Sequence, residues 1–386
     1  MPEVRLLNPC LGPLPDRLAR HEIVRAAFAD LDPADVWDCH VHLAGTGDSA
    51  QGVWMSPRMR SLLHPIEFVR RLVLLNAACA DRHAADRTFV ERLHTLTEGC
   101  PPGVKAMLLA FDYYHDEAGR PVPEQSQFHI PNAYAAGAAR RHPDRFEWIA
   151  SIHPYRADAL EALAAAVEAG TRAIKWLPNA MGIDPASPRC DGFYAALARH
   201  DVPLLTHGGE EAAVPSQDHQ RLGNPLKLRR ALDHGVRVIV AHCASLGSGV
   251  DLDDGPNGPP RSNFELFGRL MDEPRYRTRL FGDISAVTQR NRVRVAFPRL
   301  LERDDWHPRL LFGSDYPLPG VLPLISAGQF ARAGWLAAAD VPPLNEIRRH
   351  NPLLFDFVLK RRLRAGRHAF SAEVFRTRPF FAGRRT

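Results

Sequence analysis

The sequence predicts an α/β protein, a (β/α)8 TIM barrel with long loops and a helical insertion at its C-terminal face. Three observations carry that prediction. The chain has 386 residues, enough for one large barrel with insertions. Eight short β-type runs alternate with helical patterns along most of it. Several of those runs, VRVIVAH and RLLFGSD among them, are almost continuously apolar, as parallel strands buried on both faces should be. An open doubly wound sheet is the competing architecture.

The strands are expected at residues 36–42, 104–111, 148–153, 171–177, 202–207, 236–242, 280–284 and 310–315. Between them ADALEALAAAVEAG ends at Gly170 as a helix C-cap would, NPLKLRRALDHG ends at Gly235, and NFELFGRLMDE is stopped by Pro274. Three connections are too long for simple crossovers. They are residues 43–103, opening on AGTGDSAQG and continuing as helices to about Glu98, then 245–263, and the YPLPGVLPL segment after the last strand. All three leave C-terminal strand ends, where barrel sites are built, and they read as candidate lids. Residues 1–33 read as an N-terminal arm, 34–362 as the barrel carrying the 43–103 insertion, and 363–386 as a basic C-terminal tail.

Composition narrows the function classes. The net charge of +5 suggests a nucleic-acid partner, but only Lys105, Lys175, Lys227 and Lys360 are lysines. The remaining basic residues are arginines spread among 44 acids, so no basic face and no nucleic-acid partner is expected. No apolar run reaches the ~18 residues of a membrane span, and the first twenty residues lack the core of an export signal. The six cysteines form no CxxC pair, so no disulfide framework is signalled and a reducing cytoplasm fits.

Eighteen histidines are far more informative. Asp38-Cys39-His40-Val41-His42 ends the first strand, where alternation would put His40 and His42 on one face and Cys39 and Val41 on the other. His207 ends the fifth strand, His242 the sixth and Asp315 the eighth. Core histidines scatter along strands, whereas terminal placement on four strands aims five side chains at one mouth. Imidazole plus carboxylate is the donor set of a catalytic divalent metal. His153, ending the third strand, and Asp283, on the seventh, are candidates for the pocket wall or for support behind the ligands. Cys39 and Cys243 are expected to face outward into helix packing. The tail phenylalanines are expected to dock on the barrel or on a second subunit.

These residues resemble the amidohydrolase superfamily, and more closely its amidohydrolase-related branch, the amino-carboxymuconate-semialdehyde decarboxylase-like group. The likeness rests on the HxH, the single histidines, Gly282-Asp283-Ile284-Ser285, Gly313-Ser314-Asp315-Tyr316-Pro317 and Asn351-Pro352-Leu353-Leu354-Phe355. It covers roughly residues 34 to 360. TRAIKWLP stands where the branch carries a strand-four lysine. In binuclear members of the superfamily that lysine is carboxylated and bridges two metals; in the related branch it can pair with a substrate carboxylate. For Lys175 three readings stay open: bridge, substrate or supporting cation, and structural residue.

The resemblance implies a metal-dependent hydrolase acting on a small amide, lactone or ester through a metal-activated water. His40, His42, His207 and Asp315 would hold the metal, and Asp315 and His242 would manage protons. The expected cofactor is one divalent ion, zinc, per chain, or two if Lys175 is carboxylated. A non-oxidative decarboxylase on the same site is the alternative, and a non-catalytic barrel binding protein the second. The expected partner is a small-molecule substrate, with a homodimer open and no membrane.

Overall fold

The computed structural model describes residues 8–214 and 217–382. Its barrel strands are β1 (Trp37–His42), β2 (Lys105–Leu109), β3 (Phe146–Ile149), β4 (Ile174–Trp176), β5 (Leu204–His207), β6 (Val238–Ala241), β7 (Leu280–Asp283) and β8 (Leu310–Leu311). They are all parallel and form two arcs, one of β1, β2 and β3, the other running from β4 in order to β8. The arcs meet at two seams. Ala150 bridges to Ile174 at one and Val41 to Tyr316 at the other. Neither seam carries a long ladder, yet the Cys39 N–H donates to the Phe312 carbonyl and the Lys175 N–H to the Ala150 carbonyl across them. The chain is a (β/α)8 barrel.

Two sets of buried residues follow from strand alternation. Trp37, Met107, Leu109, Ile149, Ala173, Leu205, Ile239, Ala241 and Leu311 fill the interior column. Their strand neighbours, such as Leu108, Trp148, Ile174, Leu204, Val240 and Leu310, pack outward against the helices. Continuing the interior column by two residues gives Lys175, His207 and Asp283 at the C-terminal mouth.

The strands are shorter than the apolar runs predict, and β8 shows why. After Leu311 the chain leaves the ladder because the buried Asp38 carboxylate accepts the Ser314 N–H at 2.8 Å, and Asp315 turns to a left-handed φ of 62°. Gly313 is required here. A Cβ on it would lie 2.8 Å from that of His40 and 3.2 Å from that of Ser285.

The 43–103 insertion carries two helices, Pro65–Ala77 and Ala85–Glu98. Its glycine-rich start is pinned rather than free: Asp86, buried in the second helix, accepts the N–H groups of Thr46, Gly47 and Ser49. The 245–263 connection likewise folds as a hairpin of Ser248–Val250 with Pro260–Ser262. Two of the three candidate lids are thus tied down by hydrogen bonds.

Two cysteine expectations are corrected. Cys10 and Cys79 are disulfide-bonded, with Cα atoms 5.5 Å apart and a separation of 69 positions in sequence. A pair so distant leaves no spacing motif to read. Cys39 sits in the interior column rather than facing the helices, because β1 shifts register between Asp38 and Val41. The bulge inserts one residue, so Cys39 and His40 both turn inward. Cys243 does pack outward, as expected.

The tail docks on the barrel. Phe370, Val374 and Phe375 join the outer core, and Phe381 is buried against the interior column. Helix Pro352–Arg362 begins at Asn351, whose Oδ1 accepts the Leu354 N–H while Nδ2 donates to the Leu96 carbonyl. Its Lys360 ammonium donates to the Gly313 carbonyl at 2.8 Å, steadying the strand-eight turn from behind. No helix among the described residues is long and apolar enough to cross a membrane.

Candidate metal centre

His40 is the hub of the mouth. It is fully buried, and its Nδ1 lies 2.8 Å from Asp283 Oδ2. An ionised carboxylate can only accept, so Nδ1 carries the proton and Nε2 keeps its lone pair. Burial alone would raise the Asp283 pKa, but its interactions with His40, with His242 and with the Ser285 hydroxyl hold it well below the usual carboxylate range. Asp283 Oδ1 also accepts the backbone N–H groups of His242 and Ser285, each at 2.9 Å. One carboxylate therefore ties β1, β6 and the loop after β7 together.

The Nε2 side of His40 faces Asp315 Oδ1 at 3.5 Å and Lys175 Nζ at 3.1 Å. His42 approaches the same Asp315 oxygen at 3.2 Å and is the most exposed member, with its side chain 30% accessible. Burial opposes ionisation of Asp315, yet the hydrogen bond from His42 and the interactions with His40 and Lys175 keep it well below its usual range. Burial lowers the Lys175 pKa, against Asp283 and Asp315, which raise it.

His242 enters by a different route. β6 ends at Ala241, and His242, Cys243 and Ala244 all take positive φ values of 49–57°. Such left-handed conformations are costly for residues with a Cβ and cluster at functional sites. The turn reverses alternation and brings the His242 ring to 5.0 Å from that of His40. The Ser285 hydroxyl donates to Asp283, so it accepts at 2.8 Å from His242 Nδ1–H and leaves Nε2 with a lone pair. Burial first, then Arg292 and His40, push the His242 pKa well below its ordinary value, so the ring is neutral.

Ligand atoms of His40, His242 and Asp315 lie within 4.8 Å of one another, close enough to hold one ion. His207 stands beside them, its ring 5.3 Å from His242. Its Nε2–H donates to the Glu210 carbonyl at 3.2 Å and its Nδ1 lies 3.5 Å from Glu211 Oε2. Burial takes its pKa down to about 4. The donor chemistry fits a divalent cation: buried neutral imidazoles, an ionised carboxylate, and a second carboxylate orienting one ring from behind.

His153 is not drawn in. Its Nε2–H donates to the Met181 carbonyl at 2.9 Å and its Nδ1 accepts the Tyr155 N–H at 3.1 Å, so neither nitrogen is left for the mouth. Arg292 carries no signal in the sequence. This residue follows β7, is 5% exposed, and carries buried Nε and Nη1 groups without a hydrogen-bond partner among the described residues. Nothing in TQRNR distinguishes it from the many other arginines.

The amidohydrolase family profile matches residues 37–344. No curated protein matches the chain. Among solved structures, an uncharacterised TIM-barrel protein from Bordetella bronchiseptica is 14% identical, with 77% of this chain and 97% of that chain covered and a TM-score of 0.48. A putative 2-pyrone-4,6-dicarboxylic acid hydrolase from Pseudomonas putida is 14% identical, with 83% and 97% covered and a TM-score of 0.45. A 2,6-dihydroxybenzoate decarboxylase from Rhizobium is 17% identical, with 82% and 97% covered and a TM-score of 0.35. The profile spans every barrel strand and every residue gathered around His40, and the chain belongs to the amidohydrolase family.

Proposed function

We propose that the protein is a metal-dependent hydrolase of a small carbonyl compound, an amide, lactone or ester, with one divalent ion, zinc, per chain. The observation that supports this most is the approach of His40 and His42 to one Asp315 oxygen, with Asp283 orienting His40 from behind and His242 close enough to act on whatever those residues hold. A bound ion would supply Lewis-acid polarisation of the carbonyl and a water of lowered pKa.

The chain's residues divide the remaining work. His40, His42, His207 and Asp315 would hold the ion, His207 with its Nε2 now on the Glu210 carbonyl. His242 moves protons. Its Nδ1–H is fixed on Ser285, and its surroundings keep the ring neutral, with Nε2 unprotonated and able to take up a proton in passing. Lys175, whose ammonium donates to His40 Nε2 at 3.1 Å, would give that lone pair up to the ion and remain an unmodified cation beside the substrate.

A buried lysine beside the centre also favours a second reading, non-oxidative decarboxylation of an unsaturated or aromatic carboxylate, in which His242 would protonate the carbon. Elemental analysis with paired assays separates the two. Turnover of lactones or amides without CO₂ release supports the hydrolase, CO₂ release the decarboxylase. Full activity after exhaustive chelation sinks both.

A further inference from the structure

The large apolar side chains left exposed are not scattered over the surface. Among the described residues six of eight lie on one short stretch of the insertion: Leu62, Leu63, Ile66, Val69, Leu72 and Val73, exposed from 37% at Val73 to 88% at Leu63. The other two, Leu160 and Val295, stand singly on other helices. Single exposed apolar residues need no explanation, whereas a contiguous set marks an interaction surface.

The stretch presents that set on a fixed platform. Leu62 and Leu63 occupy the turn before helix Pro65–Ala77, and Ile66, Val69, Leu72 and Val73, three and four positions apart, share the outer face of the helix. The inner side is anchored. Leu75 and Ala77 are buried, the Tyr316 hydroxyl donates to the Ala78 carbonyl at 3.4 Å, and Cys79 is bridged to Cys10. Little ordering is therefore left to be lost when a partner docks. At ~150–200 Å² for a fully exposed residue of this size, the six offer roughly 600 Å², near the ~800 Å² per partner of a standard interface.

The positions are also palindromic. Reversing the stretch about the Glu67–Phe68 peptide carries 62 onto 73, 63 onto 72 and 66 onto 69. We propose that this face is the interface of a homodimer, in which two copies of helix Pro65–Ala77 pack antiparallel about a two-fold axis beside that peptide. Leu62, Leu63 and Ile66 of each copy then meet Val73, Leu72 and Val69 of the other, the self-complementarity that an isologous contact needs. A charged lipid surface fits the patch less well. Arg60 donates to the Thr46 carbonyl, Arg70 to the Ala212 carbonyl at 3.5 Å, and Arg71 buries its Nε, so these guanidinium groups turn back into the fold. The patch also holds no lysine and no aromatic anchor. The interface is independent of the reaction carried out at the metal centre.

The test is analytical ultracentrifugation of the full chain over a concentration series. Wild type is expected to be dimeric at ~10 µM, as an interface of this size allows. Ile66→Glu and Val69→Arg, both at exposed positions, should each keep the wild-type thermal transition and metal content and weaken the dimer about a hundredfold or more. The two substitutions combined in one chain should restore the dimer, because position 66 of each copy meets position 69 of the other. Wild type that stays monomeric at ~100 µM overturns the proposal. So does a dimer indifferent to Ile66→Glu and Val69→Arg, or a doubly substituted chain that remains monomeric. Binding of monomeric wild type to phosphatidylglycerol vesicles, lost in Ile66→Glu, would give the face to a membrane and overturn it as well.

Discussion

Two buried histidines near strand ends, His40 and His153, differ in what their ring nitrogens are given. His40 donates Nδ1–H to a carboxylate, Asp283, and turns its Nε2 lone pair into the mouth, where the Lys175 side chain donates to it and Asp315 stands 3.5 Å away. His153 has both nitrogens consumed by backbone, the Tyr155 N–H and the Met181 carbonyl. The same residue type at equivalent depth is in one case a prospective ligand and in the other a piece of packing. Terminal placement on a strand nominates a histidine; the partner on its second nitrogen decides what it is for.

Four predictions sharpen or break that contrast. The largest effect on turnover short of losing the metal is expected at His242. His242→Asn should retain the ion and lose about 10²–10⁴-fold in rate, and loss of the ion with the ring would make His242 a ligand instead. Asp283→Asn removes the carboxylate behind His40 and should weaken metal affinity about 10–100-fold, read by competition with a chelator. Unchanged affinity would mean that Asp283 does not orient the ring. Lys175→Met should keep the metal and raise KM more than it lowers kcat; loss of one of two ions would identify a carbamate bridge.

His153→Gln should have the smallest effect, none on metal content. Its consequence is in stability. Burial lowers the His153 pKa to about 3, so the folded protein holds the ring neutral while the unfolded chain protonates it near pH 6.5. Its contribution is complete above about pH 6.5 and is lost as pH falls toward 3, by roughly 2 kcal/mol at pH 5. Denaturant titration at pH 7 and pH 5 should show a smaller acid-side loss in His153→Gln than in wild type. An identical loss would place the ring in a less buried setting.

How much of this was legible in the sequence follows from the same physics. Alternation along β4, β5 and β7 places Lys175, His207 and Asp283 in the mouth by counting in twos from Ala173, Leu205 and Phe281. His40 and His242 break that rule, one through the β1 bulge and the other through a left-handed turn, and a bulge has no reliable signature in residue type. The outward expectation for Cys39 failed for that reason. Arg292 was illegible because its distinction lies in lacking partners, a property of the packed structure and not of the residue. The Cys10–Cys79 bridge and the burial of Phe381 are likewise products of long-range docking.

The central claim is that the residues around His40 form a metal centre and those around His153 do not. The most direct measurement is elemental analysis of purified wild type, His40→Ala and His153→Gln, each confirmed folded by its thermal transition. The account predicts about one divalent ion per chain in wild type and His153→Gln, and none in His40→Ala. Equal metal content in wild type and His40→Ala, or loss of the ion from His153→Gln, would contradict it.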